Sequence, residues 1–130
     1  MIPTVGQILF QAYEEPRMQG QEHEVVVLKV GRKWCEVAWA DRDPALRVHK
    51  RFDMTDPRWP VEGSRGYSSE SRVWISRGAW RREQERDAAW RRLQRVLAHR
   101  YRLGVDVQAE DIRQAARALG VLAEFERATP

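Results

Sequence analysis

Between Glu22 and Ala40 the chain reads EHEVVVLKVGRKWCEVAWA, two β-branched and aromatic runs separated by Gly31-Arg32. Strand-forming runs on either side of a two-residue break predict one β-hairpin. Glycine in the first loop position suits a type II′ turn, because only Gly takes φ > 0 there without cost. That register pairs Val30 with Lys33, Leu28 with Cys35 and Val26 with Val37 on an apolar face, and sets Lys29 opposite Trp34 on the other. A lone hairpin cannot cover such a face, so more strands are expected around it.

The flanking pattern supplies them. Ile8 to Tyr13 reads as a first strand, followed by a polar loop with Pro16 and Gly20. After Asp41-Arg42-Asp43-Pro44, Leu46 to Phe52 sets Leu46, Val48, Lys50 and Phe52 in alternation with Arg47, His49 and Arg51. From Asp53 to Ser71 the pattern dissolves into Asp, Pro, Gly and Ser, predicting a long loop pinned to the body by Trp59 and Tyr67. Ser71 to Ile75 is then a last strand, Val73 and Ile75 on one side, Arg72 and Trp74 on the other. Five short antiparallel strands predict a small β-barrel of the Src-homology-3 or Tudor kind.

At Ser76 the period changes. Its hydroxyl suits an N-cap, and a helix is expected from Arg77 to about Arg100, with Gly104 as its stop. At the helical repeat, Ala79, Trp90, Leu93 and Leu97 form an apolar stripe expected to lie on the barrel. Arg77, Arg81, Arg91, Arg92, Arg95 and Arg102 gather on the opposite side, with Trp80 beside them. Glu110-Asp111-Ile112-Arg113 opens a second helix, acidic where the helix dipole favours it, with Ile112, Ala115, Ala116 and Leu119 on one face and Gly120 at its end. Val121 to Phe125 extends the helical packing. The predicted class is α+β: a barrel over residues 1–76, a long amphipathic helix packed on it over 77–103, and a short C-terminal helix and tail over 104–130.

Charge sharpens this picture. The net charge of +4 is unevenly spread: residues 1–76 hold 11 basic and 11 acidic side chains, whereas 77–102 hold nine arginines against Glu83, Glu85 and Asp87. One cysteine permits no intrachain disulfide and no Cys-based zinc site within a single chain. No run is long enough to cross a bilayer, and Met1 to Tyr13 lacks the basic segment of a signal peptide, so no membrane partner and an intracellular, cytoplasmic protein are expected.

Catalytic chemistry finds little footing. His23, His49 and His99 lack metal-ligand spacing, so no metal or other cofactor is expected. Cys35 falls on the hairpin's apolar face and reads as a small buried hydrophobe. Gly63-Ser64-Arg65-Gly66-Tyr67-Ser68-Ser69 lacks the lysine and strand-loop-helix setting of a phosphate-binding loop, and Ser68 and Ser69 have no evident His/Asp arrangement. The expectation is a protein that is not an enzyme.

The strings Val30-Gly31-Arg32-Lys33-Trp34, Arg51-Phe52, Gly66-Tyr67-Ser68-Ser69 and Arg72-Val73-Trp74-Ile75-Ser76, followed by a Trp/Arg/Glu-rich helix, resemble a group of small β-barrel proteins common in bacteriophage genomes. The similarity spans most of residues 5–120. It implies a phage or prophage origin, hence the cytoplasm of an infected bacterium, and a barrel running into a long charged helix. No catalytic or ligand residue carries over with it.

Two binding roles follow from the surfaces. Lys29, Arg32, Lys33, Trp34 and Arg51 interleave cations with an aromatic ring near the hairpin tip, with Arg47 on the same outer face, and Arg81, Arg92 and Arg95 add forked donors on the helix. That set predicts nucleic-acid, or general polyanion, binding. The alternative is a protein-interaction module, including an inhibitor of a host protein such as a defence-system component. It would use Trp59, Trp74 and Trp80, which the predicted faces leave outside the core. Nothing in the sequence fixes an oligomeric state.

Overall fold

The computed structural model describes every residue except 15–21, 47–48, 65–69, 101 and 129–130. The chain divides into two compact units, Met1–Ala89 and Trp90–Pro130.

The first unit is an antiparallel sheet of five strands: β1 (Ile8–Tyr13), β2 (His23–Val30), β3 (Trp34–Trp39), β4 (His49–Asp53) and β5 (Ser71–Trp74), in the order β4-β3-β2-β1-β5. These strands alone make a half-barrel with β4 and β5 at its edges. The predicted long loop supplies the missing staves. Asp53 N–H donates to Pro60 O (3.0 Å) and Glu62 N–H to Arg51 O (2.9 Å) on one side. On the other, Val61 N–H donates to Ser71 O (2.9 Å) and Val73 N–H to Trp59 O (3.1 Å). Trp59–Glu62 thus joins the two edges and satisfies backbone groups that would otherwise be open to a stray strand. Trp59 adopts φ 50°, an uncommon conformation for a bulky residue, and its ring packs 5.0 Å from that of Phe52. Tyr67, the other expected pin, lies outside the described residues.

The barrel interior is built from Leu9, Val25, Val27, Cys35, Val37, Phe52, Val61 and Val73, all buried. The hairpin forms, but not in the predicted register. Val25 faces Trp39, Val26 faces Ala38 and Val27 faces Val37; the register then shifts, so that Lys29 faces Glu36 and Val30 faces Cys35. This β-bulge leaves Leu28 as the extra residue, and one extra residue reverses which side chains point inward. Val25 and Val27 are therefore buried instead of Val26 and Leu28, while Cys35 and Val37 fall inside as expected. The turn also differs. Gly31 N–H donates to Trp34 O (2.9 Å), which leaves Arg32 and Lys33, not Gly31 and Arg32, at the tip. Gly31 does not take positive φ. Its missing side chain matters because a Cβ there would sit 3.1 Å from the Trp34 carbonyl oxygen.

The fourth strand is shorter than predicted. Asp43 accepts the Ala45 N–H (2.8 Å), and Pro44–Leu46 turns as a 3-10 helix, so the Leu46 end of the apolar alternation never enters the sheet. Lys50 is exposed, not inward; Arg47 and Val48 lie outside the described residues.

The helix α1 (Arg77–Ala98) begins in this unit, where the Ser76 hydroxyl accepts the Ala79 N–H (3.1 Å) as its N-cap. Its first turns cover the outer face of β1 and β5: Phe10, Ala12 and Trp74 are buried there with Ala79 and Trp80 against them. β1 is consequently covered on both faces, which is why its apolar run is almost unbroken. Of the predicted stripe, Ala79 takes part in this packing. No residue of α1 is fully buried, Trp90 is 44% exposed and Leu97 is 55% exposed. Within the first unit the seam rests on Ala79, Trp80 and Glu83. Glu83 accepts from Arg72 Nη1 (2.7 Å) and Trp74 Nε1 (2.5 Å), clamping helix to sheet through polar bonds that hydrophobic periodicity does not register.

In the second unit, α2 (Ala109–Ala118) starts after Gln108, whose N–H donates to the Asp111 carboxylate (2.8 Å), and ends at Gly120 with φ 73°. α3 (Leu122–Arg127) follows over the predicted extension. Arg113 ties the two, donating to Glu110 (2.7 Å) and Glu126 (3.1 Å). Of the predicted α2 face, Ala116 is buried and Ile112 half-buried, whereas Ala115 and Leu119 are exposed.

Candidate nucleic-acid interface

The tip of the β2–β3 hairpin lies beside the end of β4, where Trp34 pairs with Asp53, and a hollow of about 210 Å³ there is lined by Lys29, Gly31, Arg32, Lys33, Trp34, Glu36 and Arg51. Strand pairing dictates this assembly. Glu36 on β3 is opposite Lys29 on β2 and Arg51 on β4, and Trp34, two residues earlier, shares its face. Glu62 reaches Arg51 from the closing segment. The result is a row, Lys29, Glu36, Arg51, Glu62, whose charges alternate across the barrel wall.

Arg51 is the cation of the row with contacts on two sides. Its Nε and Nη2 donate to the two carboxylate oxygens of Glu62, both at 2.6 Å, and its Cζ lies 4.3 Å from the Trp34 ring centroid. The paired hydrogen bonds raise the Arg51 pKa and hold the Glu62 carboxyl below its usual range. This bond orients a planar donor over an aromatic ring at the surface. Lys33 Nζ is 5.1 Å from the same ring and 3.9 Å from the Asp53 carboxylate. Arg32 is exposed at the tip. The hollow therefore combines four cations, one aromatic and one carboxylate.

Beside it lies a second hollow of about 400 Å³, lined by Leu28, Glu36, His49, Lys50, Arg51 and Glu62. Arg51 and Glu36 are shared by both. Leu28 reaches this surface, 37% exposed, because the bulge turns it out.

A protein-family model for the Phage ProQ C-terminal-like domain matches residues 2–127. The chain belongs to that family, a phage-associated one. No curated protein and no solved structure matches it.

In this ProQ C-terminal-like domain the remaining predicted basic positions are on α1. Arg81 is exposed on α1 within the first unit; Arg92 and Arg95 are exposed within the second. A surface hollow of about 490 Å³ is lined by Arg91, Gln94, Arg95 and Ala98 of α1. The three tryptophans expected outside the core are packed. Trp74 is 6% exposed, Trp80 lies 5.2 Å from Phe10, and Trp59 packs on the barrel interior. Trp74 and Trp80 pack where the first turns of α1 cover β1 and β5, and Trp59 pins the closing segment against Phe52. Cys35 is buried, and burial, with a smaller push from the Glu36 charge, raises its thiol pKa to about 11. Among the described residues no group of His, Cys, Asp and Glu is arranged to hold a metal ion, and no helix is long and apolar enough to cross a membrane.

Two residues of the alternating row, Glu36 and Glu62, are not among the predicted positions. Glu36 was detectable, because a strand places it on the face of Trp34. Glu62 was not, since its segment carries no strand pattern and gains its position only by bridging two edges.

Proposed function

We propose that this phage-associated domain is a non-catalytic nucleic-acid-binding module that acts in the host cytoplasm and grips its ligand at the hairpin tip. The carrying observation is that Lys29, Arg32, Lys33, Trp34 and Arg51, read separately from the sequence as a basic-aromatic set, line one hollow. Cations track a phosphate backbone and an aromatic ring stacks bases, the combination by which small barrels hold single strands. The net charge of +4 and membership in a ProQ-like family agree with this reading. The protein-partner alternative has less support, because Trp59, Trp74 and Trp80 are engaged within the fold.

The test is oligonucleotide binding across a salt series, for the full chain and a Lys29→Ala/Arg32→Ala/Lys33→Ala variant. Each phosphate contact to a single strand contributes about 0.7 to the slope of log affinity against log salt, so the triple variant is expected to flatten it by about 2. An unchanged slope and affinity would exclude the tip as the binding surface.

A further inference from the structure

The alternating row at the tip is poorly suited to phosphate along its whole length. Arg32 and Lys33 project from the turn, but across the wall each cation has a carboxylate neighbour: Lys29 with Glu36, Glu36 with Arg51, Arg51 with Glu62. A phosphate laid over this row meets as much repulsion as attraction. A nucleobase edge, which carries both donors and acceptors and no net charge, meets matching groups.

We propose that the hollow holds an unpaired nucleobase: the base stacks on the Arg51 guanidinium, which itself lies over the Trp34 ring, and the flanking phosphates lie toward Arg32 and Lys33. This rests on the nucleic-acid reading above and names its ligand as single-stranded, with bases splayed from the stack. Glu62 fixes the guanidinium in one plane through two 2.6 Å bonds, so the platform exists before the ligand arrives. Guanidinium and aromatic planes are the surfaces on which splayed bases stack. Glu62 is occupied by Arg51, whereas Glu36 presents an exposed carboxylate between the two hollows. A carboxylate accepts hydrogen bonds and cannot donate, so Glu36 selects bases that bear an exocyclic amino group. Cytosine offers its N4 amino group to such an acceptor, and thymine turns a carbonyl toward it.

The experiment uses the full chain and three labelled probes of equal length at one salt concentration: oligodeoxycytidylate, oligodeoxythymidylate and a mixed-sequence duplex. Oligodeoxycytidylate is expected to bind about fivefold tighter than oligodeoxythymidylate, the lower part of what a base-edge contact discriminates, and the duplex weakest. Glu36→Gln, an exposed change that leaves the fold intact, should bring the two single strands within about twofold, because an amide both donates and accepts. Trp34→Ala should weaken both single strands by about fivefold or more, the lower part of the loss of one stacking platform. Equal affinity for the two single strands, a preference unchanged in Glu36→Gln, or equal binding of the duplex would overturn the proposal while leaving the nucleic-acid reading standing. Absence of binding to all three probes would overturn both.

Discussion

Replacing Glu83 with Gln tests the clamp that fixes α1 to the sheet. The carboxylate accepts from Arg72 Nη1 at 2.7 Å and Trp74 Nε1 at 2.5 Å, and the Arg72 side chain is only 9% exposed. A hydrogen bond to a charged group contributes about 1.5–3 kcal/mol net. Two such bonds set an upper range of about 3–6 kcal/mol by the same measure. The actual loss is smaller, because Gln keeps an acceptor oxygen, Glu14 remains 3.1 Å from Arg72, and the Glu83 side chain is 22% exposed to screening water. The expected cost of Glu83→Gln is therefore about 2 kcal/mol, which in a domain of this size lowers Tm by roughly 10 °C. The effect depends on pH in a definite direction. Burial opposes the Glu83 charge, but the bonds from Arg72 and Trp74, with the charges of Arg72 and Arg86, outweigh it and hold the carboxyl below its ordinary 4.5. A carboxyl depressed in the folded state stabilises above its unfolded pKa, and that contribution is lost as pH falls through the folded value. Thermal unfolding of the wild type and Glu83→Gln should thus differ at neutral pH and converge in acid. Equal Tm values at neutral pH, or a gap that persists undiminished in strong acid, would refute the clamp.

Other substitutions separate packing from binding. Trp59→Ala should destabilise the first unit by about 3 kcal/mol, since it empties the contact with Phe52 at the barrel seam, and urea unfolding measures this. Ser76→Ala removes the N-cap of α1 and should cost about 1 kcal/mol in the same assay. Cys35, buried and with its pKa near 11, should resist alkylation at mildly alkaline pH and react fully once denatured; rapid labelling of the native protein would contradict its position.

The sequence made the barrel's elements visible where one face faces a core and the other water. β1 matches its predicted span, and the hairpin, the last strand and both α1 and α2 fall close to theirs. What escaped it was decided by contacts between elements. The bulge at Leu28 reverses half of β2, yet nothing in a run of valines marks which residue is surplus. Trp59–Glu62 becomes part of the wall only because β4 and β5 each leave an edge open beside it. Periodicity put Ala79 on the apolar side of α1, but not the polar bonds of Glu83 or the packing of Trp80 that hold the first turns of the helix to the sheet. The residues at the hairpin tip come together for the same reason that the hairpin forms. Lys29, Arg32, Lys33 and Trp34 are close in sequence, and Arg51 joins them through ordinary strand pairing.

The most direct test of the account follows backbone and tryptophan indole amide signals by NMR while a short unlabelled single strand is added to the isotopically labelled chain. The account predicts the largest shifts at residues 29–36 and at Arg51, with the Trp34 indole moving most among the six tryptophans. Shifts concentrated elsewhere, with the Trp34 indole and Arg51 unmoved at saturation, would contradict it.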